Sequence, residues 1–357
     1  MPGWTGSRRV HWLRPHYDGA MMKNNYLALV CETLSDDLSG VALRELPMPQ
    51  PDVGQALVRI RAASVNFPDL LMTQGGYQFK PPLPFVPGLE AAGEIVAIGS
   101  ENATYRIGAQ VLVHGKTGGF AEYACVPFAS LRPMPTVFDH AQASAFEAAS
   151  VTAWVSLARR ALLAPGETLL VHGATGGVGW ATVQLGKHLG ARVIATGTSA
   201  EKLAILRELE QIETIELPSH EERPGAALRE QVLGLTDGRG ADVIFDPVGG
   251  DVFDASVRCI AWGGRLLVVG FAAGRIPQLA MNLPLIKGFS IVGVRAGEYG
   301  RRDPIKGEEN LRSIEELAMR GVFRPYIGAR YPLAQATEAL RAIASRKVIG
   351  KIVIEMD

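Results

Sequence analysis

The stretch VHGATGGVGW (171–180) constrains this chain more than any other. An apolar run ending at His172 meets a turn with glycine at 176, 177 and 179, and a helical pattern starts at once. Strand, glycine turn and helix, followed by another apolar run from Ala191, is the context in which a GxGxxG motif binds a dinucleotide. Aligned on that motif, the six positions are Ala174, Thr175, Gly176, Gly177, Val178 and Gly179, with alanine replacing the first glycine. Gly176 lets the backbone approach a diphosphate, and Gly179 lets the helix pack closely on the strand. Free N–H groups and the helix dipole favour phosphate charge at this end. The alternative is a tight turn that binds nothing.

In an NAD site a carboxylate about 20 residues further on takes the ribose 2′-hydroxyl. Here the next strand, ARVIATGTSAEK, ends in Gly197, Thr198 and Ser199 with no acid at that place. Thr198, Ser199 and Lys202 suit a 2′-phosphate, which a carboxylate would repel, so NADPH is the expected cofactor. Glu201 is assigned to the outer face of the helix. On the plainer alternative, Lys202 is a solvated helix lysine and Ser199 only a helix cap.

The flanking text separates into two styles. From about Tyr26 to Pro135, short runs such as ALVRIRAAS, GEIVAIGS, AQVLVHG and AEYACVP are bounded by Gly, Pro or Asn, which predicts an antiparallel, barrel-like domain. From about Phe138, helical stretches alternate with the continuous apolar runs TLLVHG, ADVIFD, GRLLVVG and SIVGV, which predicts strands buried on both faces of a parallel sheet. After Gly300, two amphipathic helices follow, with Leu311, Ile314, Leu317 and Ala318 on one face of the first and Ala336, Leu340, Ile343 and Ala344 on one face of the second. The strand GKIVIEM comes last. Asp246, in FDPVGG, ends a central strand at its carboxyl end, where doubly wound folds bind ligands, and is read as cofactor-adjacent. Gly249 and Gly250 allow the chain to turn there.

Composition narrows the classes of function. The 36 basic and 36 acidic residues cancel, so no overall charge points to nucleic acid or an anionic membrane. No apolar run approaches the roughly 20 residues of a membrane span. Cys31, Cys125 and Cys259 are dispersed and form no CxxC pair, which argues against a disulfide framework and favours a cytoplasmic setting. Residues 1–22 carry Arg8, Arg9 and Arg14 but no apolar signal core, and are read as a disordered extension, with a transit-like peptide as the alternative.

Three segments in order, AASVNFPDLLMTQGGY (62–77), PFVPGLEAAGEIVAIG (84–99) and GATGGVG (173–179), resemble the medium-chain dehydrogenase/reductase superfamily in its zinc-free, zeta-crystallin-like quinone oxidoreductase branch. The resemblance runs from about Met22 to Asp357. It implies an α/β fold in which a Rossmann doubly wound parallel sheet (146–289) is inserted into a GroES-like antiparallel β-barrel domain (23–145 and 290–357). The nicotinamide would lie in the interdomain cleft, and homodimers would form through the last Rossmann strand, here SIVGVRAG, whose edge wants a partner. Asn66, Asp69 and Tyr77 correspond to positions near the nicotinamide. Asn66 would donate to ribose or substrate, and Tyr77 would polarise or protonate substrate; Asp69 is equally well a helix-start residue. Thr152, Phe271 and Lys351 correspond to further cofactor-contacting positions, with plain packing as the alternative for Thr152 and Phe271. The zinc-dependent branch needs a Cys near position 66 and a His near 89; this chain has Asn66 and Leu89, and Glu90 alone does not make a zinc site. His114 and His172 are read as strand-end residues.

The expected activity is metal-free, NADPH-dependent reduction of a quinone or another α,β-unsaturated carbonyl. A second possibility is reduction of a 2-enoyl thioester, for which Lys80, Arg301, Arg302 and Lys306 are candidates for a basic rim. A third, of another class, is an NADPH-binding protein without turnover.

Overall fold

A computed structural model describes residues 23–99, 105–217 and 225–356. The expectations for residues 1–22 lie outside them. The first half is built of β1 (Asn25–Cys31), β2 (Val41–Pro47), β3 (Gln55–Val65), β4 (Glu90–Ile98), β5 (Gln110–His114), β6 (Tyr123–Pro127) and β7 (Leu131–Pro133). Two short helices, α1 (Phe67–Thr73) and α2 (His140–Ser144), accompany them. Strand β3 is the hub: it pairs antiparallel with β4 and with β6, and its alternation of buried Val58, Ile60 and Ala62 with half-buried Arg59 and Arg61 is that of a strand with one face on a core.

The second half carries the parallel sheet. Its strands are β8 (Thr168–Val171), β9 (Arg192–Gly197), β10 (Glu213–Glu216), β11 (Ala241–Asp246), β12 (Ile260–Val268) and β13 (Ser290–Gly293). They lie in the order β10-β9-β8-β11-β12-β13, the 3-2-1-4-5-6 arrangement of the doubly wound fold. In β8, Leu169 and Val171 face one core and Leu170 the core on the opposite side, after the buried Thr168 at its start. The helices are α3 (Glu147–Trp154), α4 (Gly177–His188), α5 (Ala200–Glu210), α6 (Gly225–Leu235), α7 (Gly250–Ser256), α8 (Asn282–Lys287), α9 (Ala296–Arg302) and α10 (Pro304–Met319). Helix α3 continues into a π-helical stretch, Val155–Ala161.

The expected boundary at 290 is corrected by the sheet itself. β13 pairs parallel with β12, and α9 and α10 pack on α3, so the Rossmann unit continues to about Met319. The chain rejoins the barrel at β14 (Ile327–Pro332), then runs through α11 (Ala336–Ala344) into β15 (Lys351–Glu355), which pairs antiparallel with β3. The buried face of α11 is Ala336, Ala339 and Leu340, while Ala344 is exposed. The last strand therefore belongs to the first domain, and its start touches the second: Gly350 N–H donates to Thr175 O at 2.7 Å. Among the described residues no helix is long and apolar enough to cross a membrane.

Candidate functional site

The glycine turn joins β8 to α4 at the carboxyl end of the sheet. Its three glycines are there for three different reasons. A Cβ on Gly179 would lie 2.3 Å from Gly173 O and 2.7 Å from Ala174 Cα, so the helix could not approach the strand. A Cβ on Gly177 would strike the Lys351 stem, 2.3 Å from its Cδ. A Cβ on Gly176 would meet no atom nearer than Gly173 O at 3.5 Å; a side chain there fits the protein and fills the space in front of the turn. Gly176 is the N-cap of α4, and no side chain caps that end. Ala174 is buried and donates its N–H to Thr196 O. The turn thus carries no side chain in front of Gly176 and is flanked at Gly177 by the Lys351 stem, an arrangement beside a helix N-terminus that can take a dinucleotide diphosphate.

At the end of β9, Thr198 is exposed and Ser199 caps α5, accepting from Lys202 N–H at 3.4 Å. The Lys202 ammonium donates to Arg346 O at 2.8 Å and Val348 O at 3.4 Å, and burial lowers its pKa. The Arg346 guanidinium reaches Ala272 O. The segment 346–350 thus spans from the loop after β12 to the glycine turn. In the sequence Arg346 is marked only by the basic SRK run ahead of the last strand.

On the sheet's other half, Asp246 is buried and accepts Val248 N–H at 2.8 Å and Gly249 N–H at 2.9 Å; burial pushes its carboxyl up to about 6. It shapes the loop in which Gly249 and Gly250 take φ of 69° and 56°, and presents its carboxylate to the chain itself. Phe271 lies against Gly249 and is partly exposed. The Thr152 hydroxyl donates to Ala148 O within its own helix.

The barrel supplies the opposite wall. Asn66 is the N-cap of α1, and Asp69 closes a capping box: its Oδ2 accepts Asn66 N–H at 2.8 Å and its Oδ1 accepts Gly88 N–H at 3.1 Å. Both oxygens are spent on backbone, the side chain is fully buried, and burial pushes the carboxyl up to about 7. This is the helix-start role. The Asn66 amide is also occupied: Oδ1 accepts from Lys351 Nζ at 2.7 Å, and Nδ2 donates to Glu90 Oε1 at 3.1 Å and to Ser64 Oγ at 3.2 Å. Tyr77 packs half-buried against the barrel core, and among the described residues its hydroxyl has no hydrogen-bond partner.

Glu90 is the centre of this wall. Ser64 Oγ donates to its Oε1 at 2.5 Å, Lys351 Nζ at 2.9 Å, and Ala148 N–H donates to its Oε2 at 3.0 Å. Burial alone would raise its pKa, but the Lys351 ammonium and these hydrogen bonds hold it below the ordinary carboxylate range. Residues 66, 89 and 90 therefore do not fit a zinc ion. Asn66 and Leu89 offer neither thiolate nor imidazole, and both Glu90 oxygens are taken. Among the described residues no group of three or more His, Cys, Asp or Glu side chains is arranged to hold a metal.

Neither histidine belongs to such a centre. His114 Nδ1 lies 3.1 Å from Glu147 Oε1 at the solvent edge. His172 is buried between Thr196 Oγ1 and Ser256 Oγ, each 2.8 Å from a ring nitrogen. Ser256 donates its own proton to Val252 O, so it accepts from Nε2–H, and Nδ1 accepts from the Thr196 hydroxyl. Burial pushes the His172 pKa down to about 3. An unfolded histidine titrates near 6.5, so below that pH the unfolded chain binds a proton that the folded one refuses. The stability tied to His172 is complete above pH 6.5 and falls by about 1.4 kcal/mol per unit as pH drops towards 3. His172→Gln is expected to lower stability by about 1–3 kcal/mol at pH 7. In urea unfolding at pH 7 and pH 5 that deficit should shrink at the lower pH; the same deficit at both would contradict the assignment.

The geometry agrees with the relatives. The alcohol dehydrogenase GroES-like domain family matches residues 52–136, and the family described as zinc-binding dehydrogenase matches residues 177–311. A quinone oxidoreductase-like protein 2 homolog of Nematostella vectensis is 37% identical over 335 residues, covering 93% of this chain and 89% of that protein. A phenolphthiocerol synthesis polyketide synthase of Mycobacterium marinum is 32% identical over 309 residues, 85% of this chain but 14% of the synthase. A mycobacterial protein solved in complex with NADPH superposes with a TM-score of 0.82 at 27% identity, over 92% of this chain and 99% of that one.

Proposed function

The chain belongs to the medium-chain dehydrogenase/reductase superfamily, in its quinone oxidoreductase branch, and from that premise we propose that it is an NADPH-dependent, metal-free reductase of quinones or other α,β-unsaturated carbonyls. As an enzyme of the quinone oxidoreductase-like type it is not the bystander that an NADPH-binding protein without turnover would be. The observation that carries the proposal is the cradle at Gly176: a helix N-terminus without a capping side chain, with open space before it.

Bound NADPH supplies the hydride; the chain holds the cofactor, excludes water and provides a proton. The N–H groups of Gly177, Val178 and Gly179 would receive the diphosphate, with Ala174 and Thr175 forming the floor. Thr198, Ser199 and Lys202 would receive the 2′-phosphate, and Arg346, whose carbonyl holds the Lys202 ammonium, would bring a second cation to the same region. Thr152, Phe271 and the loop set by Asp246 would border the nicotinamide end, and Lys351, which lies against Gly177, would line the site from the barrel side. Asn66 fixes the wall against which the acceptor lies. Asp69 serves it by holding α1 and the Gly88 turn in place. The unpartnered Tyr77 hydroxyl is the proton donor.

A second reading, reduction of 2-enoyl thioesters, is favoured by the match to a segment of a polyketide synthase. A panel of quinones, enones and enoyl thioesters, followed by NADPH absorbance, tests both. Quinones and enones are expected to be the better substrates, with rates unchanged by chelators. Exclusive use of enoyl thioesters would replace the first reading with the second, and chelator-sensitive activity restored by zinc would overturn the metal-free one.

We also propose a homodimer through β13. That strand is the edge of its sheet, and Trp262, Leu285, Ile286 and Ile291 expose apolar surface on and beside it. A monomeric mass by light scattering would refute this. The proposed setting is cytoplasmic.

A further inference from the structure

Lys351 is placed with unusual care for a lysine. It is 6% exposed, and its position is fixed by the main chain on one side and by the barrel on the other. Gly350, immediately before it, bridges Gly176 and donates to Thr175 O. Its stem crosses Gly177 at the point where any side chain would collide, and its ammonium ends 2.7 Å from Asn66 Oδ1 and 2.9 Å from Glu90 Oε1. Asn66 and Glu90 thus converge on a cation that the chain provides itself.

We propose that Lys351 is a positioning residue that, through Asn66 and Glu90, neutralises and orders the wall facing the nucleotide turn. The proposal rests on the reading of the cleft as an NADPH site. Its physical content is a matter of charge and orientation. Glu90 without Lys351 is a buried, uncompensated carboxylate next to a turn that receives a diphosphate, and a buried charge stripped of its partner is far more disruptive than the intact pair is stabilising. The Asn66 amide is oriented by the same contact. Lys351 accepts nothing, so Oδ1 must face it, and Nδ2 is turned to Ser64 and Glu90.

This role differs from that of a lysine that merely touches the cofactor. A direct ligand contributes the same whether or not Glu90 is charged; a positioning cation matters because of Glu90. Four proteins decide it: wild type, Lys351→Met, Glu90→Gln and Lys351→Met/Glu90→Gln, each titrated with NADPH by fluorescence and melted without ligand. Lys351→Met is expected to weaken NADPH by about tenfold or more. In the Glu90→Gln background, loss of Lys351 should change affinity by less than about threefold, because the uncompensated charge is gone. The double variant should also melt above Lys351→Met. Equal losses of affinity in both backgrounds would overturn the proposal and make Lys351 a direct ligand only. If Lys351→Met does not fold, the comparison within the Glu90→Gln background still gives the answer. If the wild type binds no NADPH, it is the cofactor reading that has failed; a double variant melting no higher than Lys351→Met would then sink the proposal as well.

Discussion

Gly176→Asp is expected to fold as the wild type does and to lose NADPH binding. Gly176 has φ −88° and ψ 165°, extended backbone that any residue adopts, and no atom of the protein obstructs a Cβ there. Aspartate is moreover a preferred N-cap, so α4 gains a side-chain acceptor for its first N–H groups. That is the reason binding fails: the carboxylate satisfies the N–H groups meant for the diphosphate and repels it. Like charges brought together in this way cost several kcal/mol, a loss of roughly 100-fold or more in affinity. Gly179→Val is the contrasting control. Its Cβ would press on backbone atoms at 2.3 and 2.7 Å that cannot move without separating α4 from β8, so stability itself should fall by about 1–3 kcal/mol or more. Melting curves beside NADPH titrations separate the two. Unimpaired binding by Gly176→Asp would mean that the diphosphate lies elsewhere.

Lys202→Glu is expected to invert cofactor preference. The wild-type ammonium is held at the end of β9 by the carbonyls of Arg346 and Val348, beside the Ser199 hydroxyl that caps α5. A carboxylate at that place accepts the two hydroxyls of an unphosphorylated ribose and repels a 2′-phosphate. NADPH affinity should fall by roughly 100-fold while NADH affinity holds or improves. Stability should change little, because the carbonyls lose one partly exposed donor and can turn to water. Equal weakening towards both cofactors would show that Lys202 supports segment 346–350 without reading the phosphate.

What the sequence discloses and what it hides follow from the range of the interactions. The glycine turn is legible because most of its chemistry is local: Gly176 and Gly179 answer to Gly173 and Ala174 a few residues away, and only Gly177 answers to a distant residue, Lys351. Ser199 as cap of α5 and the choice of strands over helices were legible for the same reason. The domain boundary was misplaced because SIVGV declares itself a buried-type strand but not the sheet it joins; pairing with β12 is a non-local fact. Asp69 could be read either way until the Gly88 N–H, 19 residues distant, was seen to occupy its second oxygen. In the sequence Glu90 stands out only beside the missing zinc ligands at 66 and 89. Its real partner is 261 residues away on the closing strand, and no periodicity or spacing links the two. Arg346 is in the same position, reaching back 74 residues to Ala272.

The central claim is that backbone at Gly176–Gly179 and cations at Lys202 and Arg346 together hold NADPH. Calorimetric titration of the wild-type protein with NADPH and, separately, NADH tests it most directly. The account predicts one NADPH per chain, bound at least about tenfold more tightly than NADH; absence of NADPH binding, or equal affinity for the two, would contradict it.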